Sequence, residues 1–137
     1  MKKAWIFIVV AISVVIGVIV LYFCRTTITL DSVCGGRILC GDNDKIISTE
    51  ITLEDAQQIA ALIDGHHYYQ DAPSCGFSQN AAIELYTKEV VYSFYIASDG
   101  CPVLYDSAKR QYLKLKEDEI IVLHGILSAY GMNIPCV

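Results

Sequence analysis

The chain has 137 residues and a net charge of −5, with 54% hydrophobic content concentrated near its amino terminus. Beyond the first two dozen residues it carries eight basic side chains, from Arg25 to Lys116, against all fifteen acids, a net charge of −7. A field of that sign excludes nucleic acid and anionic lipid headgroups as general partners.

The first element is Ala4 to Phe23, twenty consecutive positions without a charged side chain. As a helix rising 1.5 Å per residue it matches the roughly 30 Å hydrocarbon core of a bilayer. Lys2 and Lys3 precede it and Arg25 alone follows it closely, which predicts a cytoplasmic N-terminus and an extracytoplasmic C-terminal part. The run is longer than the 7–15-residue core of a signal peptide, and Leu21-Tyr22-Phe23-Cys24 lacks the small residues of a cleavage site. The expectation is a cytoplasmic segment 1–3, a single-pass bilayer anchor 4–23, a juxtamembrane lead 24–44 containing Cys34 and Cys40, and one extracytoplasmic domain 45–137.

In the lead, Thr26 to Val33 is β-prone, and Cys34-Gly35-Gly36 and Gly41-Asp42-Asn43-Asp44 have turn chemistry. Lys45 to Ile51 alternates as a strand. Thr52-Leu53-Glu54-Asp55 supplies a hydroxyl cap and first-turn acids for a helix carrying Leu53, Ala56, Ile59, Ala60 and Ile63 on one face and stopping at Gly65. After His66 to Gln70 and a loop through Pro73-Ser74-Cys75-Gly76, strands Ala81–Tyr86 and Val90–Ala97 form a hairpin around Thr87-Lys88-Glu89. Ser98 to Pro102 turns the chain into a second hairpin, Val103–Tyr105 with Gln111–Leu115, around Ser107-Ala108-Lys109. Glu117-Asp118-Glu119 then opens a helix with Ile120, Leu123, Leu127 and Tyr130 on one stripe, ending at Gly131. The order β-α-β-β-β-β-α predicts an α+β domain: a small antiparallel sheet with two helices packed on one face.

The cysteines outside the anchor invite disulfides in an exported domain. Cys75 and Cys101 sit in loops flanking the central hairpin, and a bridge there would staple its ends. Cys34–Cys40 is a local alternative, and Cys136 can replace either partner. No C-x-x-C occurs, so neither a redox dithiol nor a zinc ribbon is indicated, and no metal or cofactor is assigned. His66 or His67 beside Cys75 and Cys101 is the alternative, enzyme-like arrangement: a thiol or metal site. Asp42-Asn43-Asp44 does not continue into a calcium loop, because Lys45-Ile46 breaks the ligand series. The acids opening the last helix already have a role at the dipole. No hydrolase, zincin or phosphate-loop motif is present, and no catalytic residue is assigned.

Tyrosine is the unusual count, nine in all and eight in the exported part. Tyr86, Tyr92 and Tyr95 on the central hairpin are the candidate interaction face, because tyrosine combines large contact area with a polar tip. Such a face suits recognition of an envelope protein or peptide by a non-enzymatic binding or regulatory module. Ser74-Cys75-Gly76-Phe77, Asp99-Gly100-Cys101-Pro102 and Tyr130-Gly131 together resemble small membrane-anchored extracytoplasmic domains of unknown function from clostridia-like Gram-positive bacteria. The likeness covers about residues 45–137. It implies a bacterial cell-surface setting and makes Cys75 and Cys101 structural partners, and it brings no catalytic residue.

Overall fold

The computed structural model describes residues 2–42 and 45–134. The Asn43-Asp44 turn and the Cys136 thiol lie outside the described residues. The architecture is α+β, as expected. An N-terminal helix α1 (Lys2–Thr26) leads into β1 (Gly35–Asp42), β2 (Lys45–Ile51), α2 (Leu53–Ile63), β3 (Tyr68–Tyr69), β4 (Phe77–Tyr86), β5 (Val91–Ala97), β6 (Val103–Asp106), β7 (Gln111–Lys114) and α3 (Glu117–Ala129). Within α1, the stretch Trp5–Tyr22 is long and apolar enough to cross a membrane, and none of it is buried in the protein. A helix apolar all round needs an apolar surrounding rather than a core face.

The strands form one antiparallel sheet in the order β2-β1-β4-β5-β6-β7-β3. Both expected hairpins are present, β4–β5 and β6–β7. Ile38, Ile83, Leu85, Phe94, Ile96, Leu104 and Leu113 point to the side covered by α2 and α3. There they meet Ala56, Ile59 and Ile63 of α2 and Leu123 and Leu127 of α3, all buried. This shared core is the main stabilising term, since each fully buried aliphatic or Phe side chain contributes about 1.5–3 kcal/mol.

The helix ends follow local chemistry. Thr52 accepts the Asp55 N–H at 3.1 Å, and Gly65 exits α2 at φ 78°. Lys116 donates its N–H to Glu119 at 2.7 Å at the start of α3, and Gly131 leaves it at φ 84°. Tyr130 closes the circuit between the two helices, donating its hydroxyl to Asp55 at 2.5 Å and accepting the Thr52 N–H at 3.1 Å.

Two expectations are corrected. The juxtamembrane lead 24–44 is not separate from a domain starting at residue 45, because Ile28, Leu30, Val33 and Ile38 are buried in the common core. Ile28 donates its N–H to His66 O at 2.9 Å and accepts the Gly65 N–H at 3.0 Å, while Asp64 accepts the Leu30 N–H at 2.9 Å. A boundary at residue 45 would cut the β1–β2 hairpin in half. Nor is Cys34-Gly35-Gly36 a turn. It enters β1, which lies between β2 and β4, and a Cβ at Gly36 would come within 2.7 Å of the Glu84 carbonyl oxygen. The glycine serves close strand approach, not chain reversal. With β1 and the short β3 added, the order becomes β-β-α-β-β-β-β-β-α.

Acid lability follows from the groups that join these elements. Hydrogen bonds from Thr52 and Tyr130 hold the Asp55 carboxyl below its usual range, and the Gly76 and Cys101 N–H groups do the same for Asp99. Burial pushes Glu119 upward, but the Lys116 N–H, its ammonium and His66 outweigh it, and the net shift is downward. Burial lowers His124. All four bind fewer protons folded than unfolded, so each contributes stability above its unfolded pKa, about 4 for the carboxyls and about 6.5 for histidine, and loses it as pH falls through its folded value. Thermal melts between pH 8 and 3 should therefore show a melting temperature that starts to fall below about pH 6.5 and drops steeply below about pH 4. A rise on acidification would contradict these assignments.

Candidate functional site

Strand pleating sends alternate residues to opposite faces, so the face away from α2 and α3 follows from register. Tyr69 pairs with Tyr112, Tyr112 with Tyr105, Tyr105 with Tyr95, and Tyr95 with Ala82. Four adjacent strands thus place four tyrosines in one row across the sheet. Their ring centroids are 5.9 Å apart for Tyr69–Tyr112, 5.0 Å for Tyr105–Tyr112 and 6.2 Å for Tyr95–Tyr105. Phe77, at the start of β4, lies 6.0 Å from Tyr105 and 5.6 Å from Tyr112. All five rings are half-buried by one another and half-open to solvent. Burial, then the neighbouring Tyr112 phenol, raises the Tyr69 hydroxyl above its ordinary range.

The candidate trio Tyr86, Tyr92 and Tyr95 is only partly brought together. Tyr95 belongs to the row. Tyr86 shares its face but pairs with Val91, four residues from the Ala82–Tyr95 pair along β4, a displacement of about 13 Å. Tyr92 points the other way, its ring parallel to Phe94 at 6.4 Å and packed against the core. Tyr69, Tyr105, Tyr112 and Phe77 were not singled out from the sequence. The sequence-read turn 107–109 would oppose Tyr105 to Gln111; the actual turn is one residue longer, 107–110, and that shift brings Tyr105 opposite Tyr112.

Beside Tyr86, Arg37 donates its Nε–H to Glu84 at 2.7 Å, and that hydrogen bond with the attached charge raises the guanidinium pKa further. Both groups flank the row on the open face, with Glu50 opposite Arg37 on β2. The pair is partly exposed and contributes little to stability.

The Cys75–Cys101 disulfide is formed, with Cα atoms 6.0 Å apart. It ties the loop before Phe77 to the β5–β6 turn. Asp99 reinforces the clamp, accepting the Gly76 N–H at 2.9 Å and the Cys101 N–H at 3.2 Å, while Ser98 donates its N–H to the Gly76 carbonyl at 2.8 Å. Cys34 and Cys40, the local alternative pair, are free thiols. Their separation runs along an extended strand and spans about 20 Å, whereas a disulfide needs Cα atoms within about 7 Å.

The histidines do not join the cysteines. His66 Nε2 lies 2.9 Å from Glu119 Oε2, and His67 Nδ1 lies 3.2 Å from Thr27 Oγ1. The group that converges with Cys75 and Cys101 is Asp99, with donor atoms of all three within 4.8 Å of one another. No protein-family model, curated protein or solved structure matches the chain.

Proposed function

We propose that this chain is a single-pass membrane protein with its N-terminus in the cytoplasm, displaying an extracytoplasmic binding module that engages an envelope protein or peptide through its open sheet face. The observation that carries the reading is the row Tyr69–Tyr112–Tyr105–Tyr95, which crosses four strands on the side left uncovered by helices. Rigid tyrosines in register offer a broad contact surface at low entropic cost, and each carries a hydroxyl that can donate and accept hydrogen bonds. The apolar stretch Trp5–Tyr22 and the preceding lysines support the anchor and its orientation. The disulfide is compatible with an oxidising compartment. The resemblance to small bacterial membrane-anchored domains adds a cell-surface setting.

Two expected results test this reading. A photo-crosslinking residue at position 105 should trap a partner in native membranes, and one at the exposed, helix-side position 122 should not. Tyr112→Ala should weaken capture by about 30-fold, the equivalent of about 2 kcal/mol for a central aromatic contact. Crosslinks arising only from the helix side would sink the sheet-face reading. For topology, Cys34 is exposed and free. With Cys24, Cys40 and Cys136 changed to serine, a membrane-impermeant maleimide should label it in intact cells, with labelling lost when Cys34→Ser is added; labelling only after lysis would reverse the orientation.

A further inference from the structure

We propose that Cys75, Asp99 and Cys101 form a redox-gated site for one thiophilic divalent cation such as Zn²⁺, closed when the disulfide is present and opened by a dithiol reductant. Three observations carry it. The two sulfurs and a carboxylate oxygen already lie within 4.8 Å of one another. Tetrahedral zinc with Zn–S distances of about 2.3 Å needs sulfurs roughly 3.8 Å apart. The Cα separation of 6.0 Å accommodates that opening without moving the backbone far. Second, Asp99 is oriented before any cation arrives. One oxygen accepts from Gly76 N–H and the other from Cys101 N–H, and each keeps a lone pair for a ligand bond. Third, Asp99 is exposed and Cys75 and Cys101 are only partly buried, which leaves an entry path and a fourth coordination position for water.

The chemistry balances. The dithiol gives two electrons and two protons and becomes a disulfide, while the Cys75–Cys101 bond breaks and each sulfur becomes a thiol. The cation then binds two thiolates and the Asp99 carboxylate, releasing the two thiol protons to solvent. A disulfide sulfur has no negative charge and is a poor ligand, so the bridged form does not hold the ion. Either state links the loop before β4 to the β5–β6 turn, so Phe77 stays beside Tyr105 and Tyr112 in both. This site is independent of any partner on the sheet face.

The test uses the full chain in detergent, with Cys24, Cys34, Cys40 and Cys136 changed to serine. Reduced protein should bind one Zn²⁺ and, with Co²⁺, give the intense charge-transfer absorption of thiolate ligation; oxidised protein should do neither. Asp99→Asn keeps the shape and one acceptor oxygen and should weaken Zn²⁺ binding at least about tenfold. Zn²⁺ should also raise the melting temperature of the reduced form. In the otherwise native chain, Cys75→Ser/Cys101→Ser should remove one equivalent of bound cation. Reduced protein that binds no cation, oxidised protein that binds it equally, or unchanged affinity in Asp99→Asn would overturn the site.

Discussion

Asp106→Ala is expected to destabilise the domain by about 3 kcal/mol, summing one buried charge-assisted hydrogen bond and part of two turn bonds. Among the described residues Asp106 is the buried charged side chain, 2% exposed, on a face otherwise lined by aliphatic and aromatic groups, with Phe94 its cross-strand neighbour. It is retained there because its acceptors are used. Oδ2 accepts the Tyr68 hydroxyl at 2.5 Å, and Oδ1 accepts the N–H groups of Ala108 and Lys109 at 2.9 and 3.1 Å. Tyr68 is itself buried, and burial with the Asp106 contact drives its hydroxyl far above the ordinary range, so it remains a donor at any physiological pH. Lys109 Nζ sits 4.4 Å from the Tyr68 ring centroid, over its face. The carboxylate thus joins the two-residue edge strand β3 to the β6–β7 hairpin. Alanine strands the Tyr68 hydroxyl in the core and frees the turn that sets the Tyr105–Tyr112 register. Urea denaturation should show the loss, and Tyr68→Phe in the Asp106→Ala background should recover part of it by removing the stranded donor. Wild-type stability in Asp106→Ala would contradict this account.

The Cys75→Ser/Cys101→Ser variant is expected to lose about 3.5 kcal/mol, with a fall in melting temperature of about 15 °C. The bridge closes a loop with a sequence separation of 26 that contains the whole β4–β5 hairpin. The chain-entropy cost restored to the unfolded state by opening a loop of that size gives the figure. The Asp99 and Ser98 hydrogen bonds to Gly76 remain, so the native arrangement is weakened rather than abolished. Melting the wild type with and without a dithiol in metal-free buffer should reproduce the same shift. Reduction that leaves the melting temperature unchanged would show that the hydrogen-bonded clamp alone holds the two loops.

Helix positions were legible because their signals are local. The Thr52 cap, the acids of each first turn and the glycines at 65 and 131 act within a few residues of the ends they define. The β4–β5 and β6–β7 hairpins were legible for the same reason, since a short turn leaves a strand one neighbour to pair with. The strand β1 was not. Its Gly35-Gly36 opening has the composition of a turn, and what makes it a strand is a close approach to Glu84, forty-eight positions along the chain from Gly36. Leu30 and Val33 likewise read only as part of a β-prone lead until Asp64 and the α2 face are brought against them.

The same division governs the aromatic face. Alternation along β5 separates Tyr92 from Tyr95, so the opposition of those two side chains is a property of the strand alone. Their company is not. Tyr69 reaches the row because β3 docks at the far edge beside β7, and the row ends at Ala82 because β4 lies on the other side of β5. By itself the amino-acid order determined the apolar N-terminal helix, two capped helices and two hairpins, all consequences of periodicity and short-range hydrogen bonding. Only the tertiary structure decided the order of strands, the inclusion of residues 27–42 in the core, the exclusion of a Cys34–Cys40 bridge and the convergence of Asp99 on the disulfide. Those depend on which distant segments bury one another's surfaces, and no local signal encodes that choice.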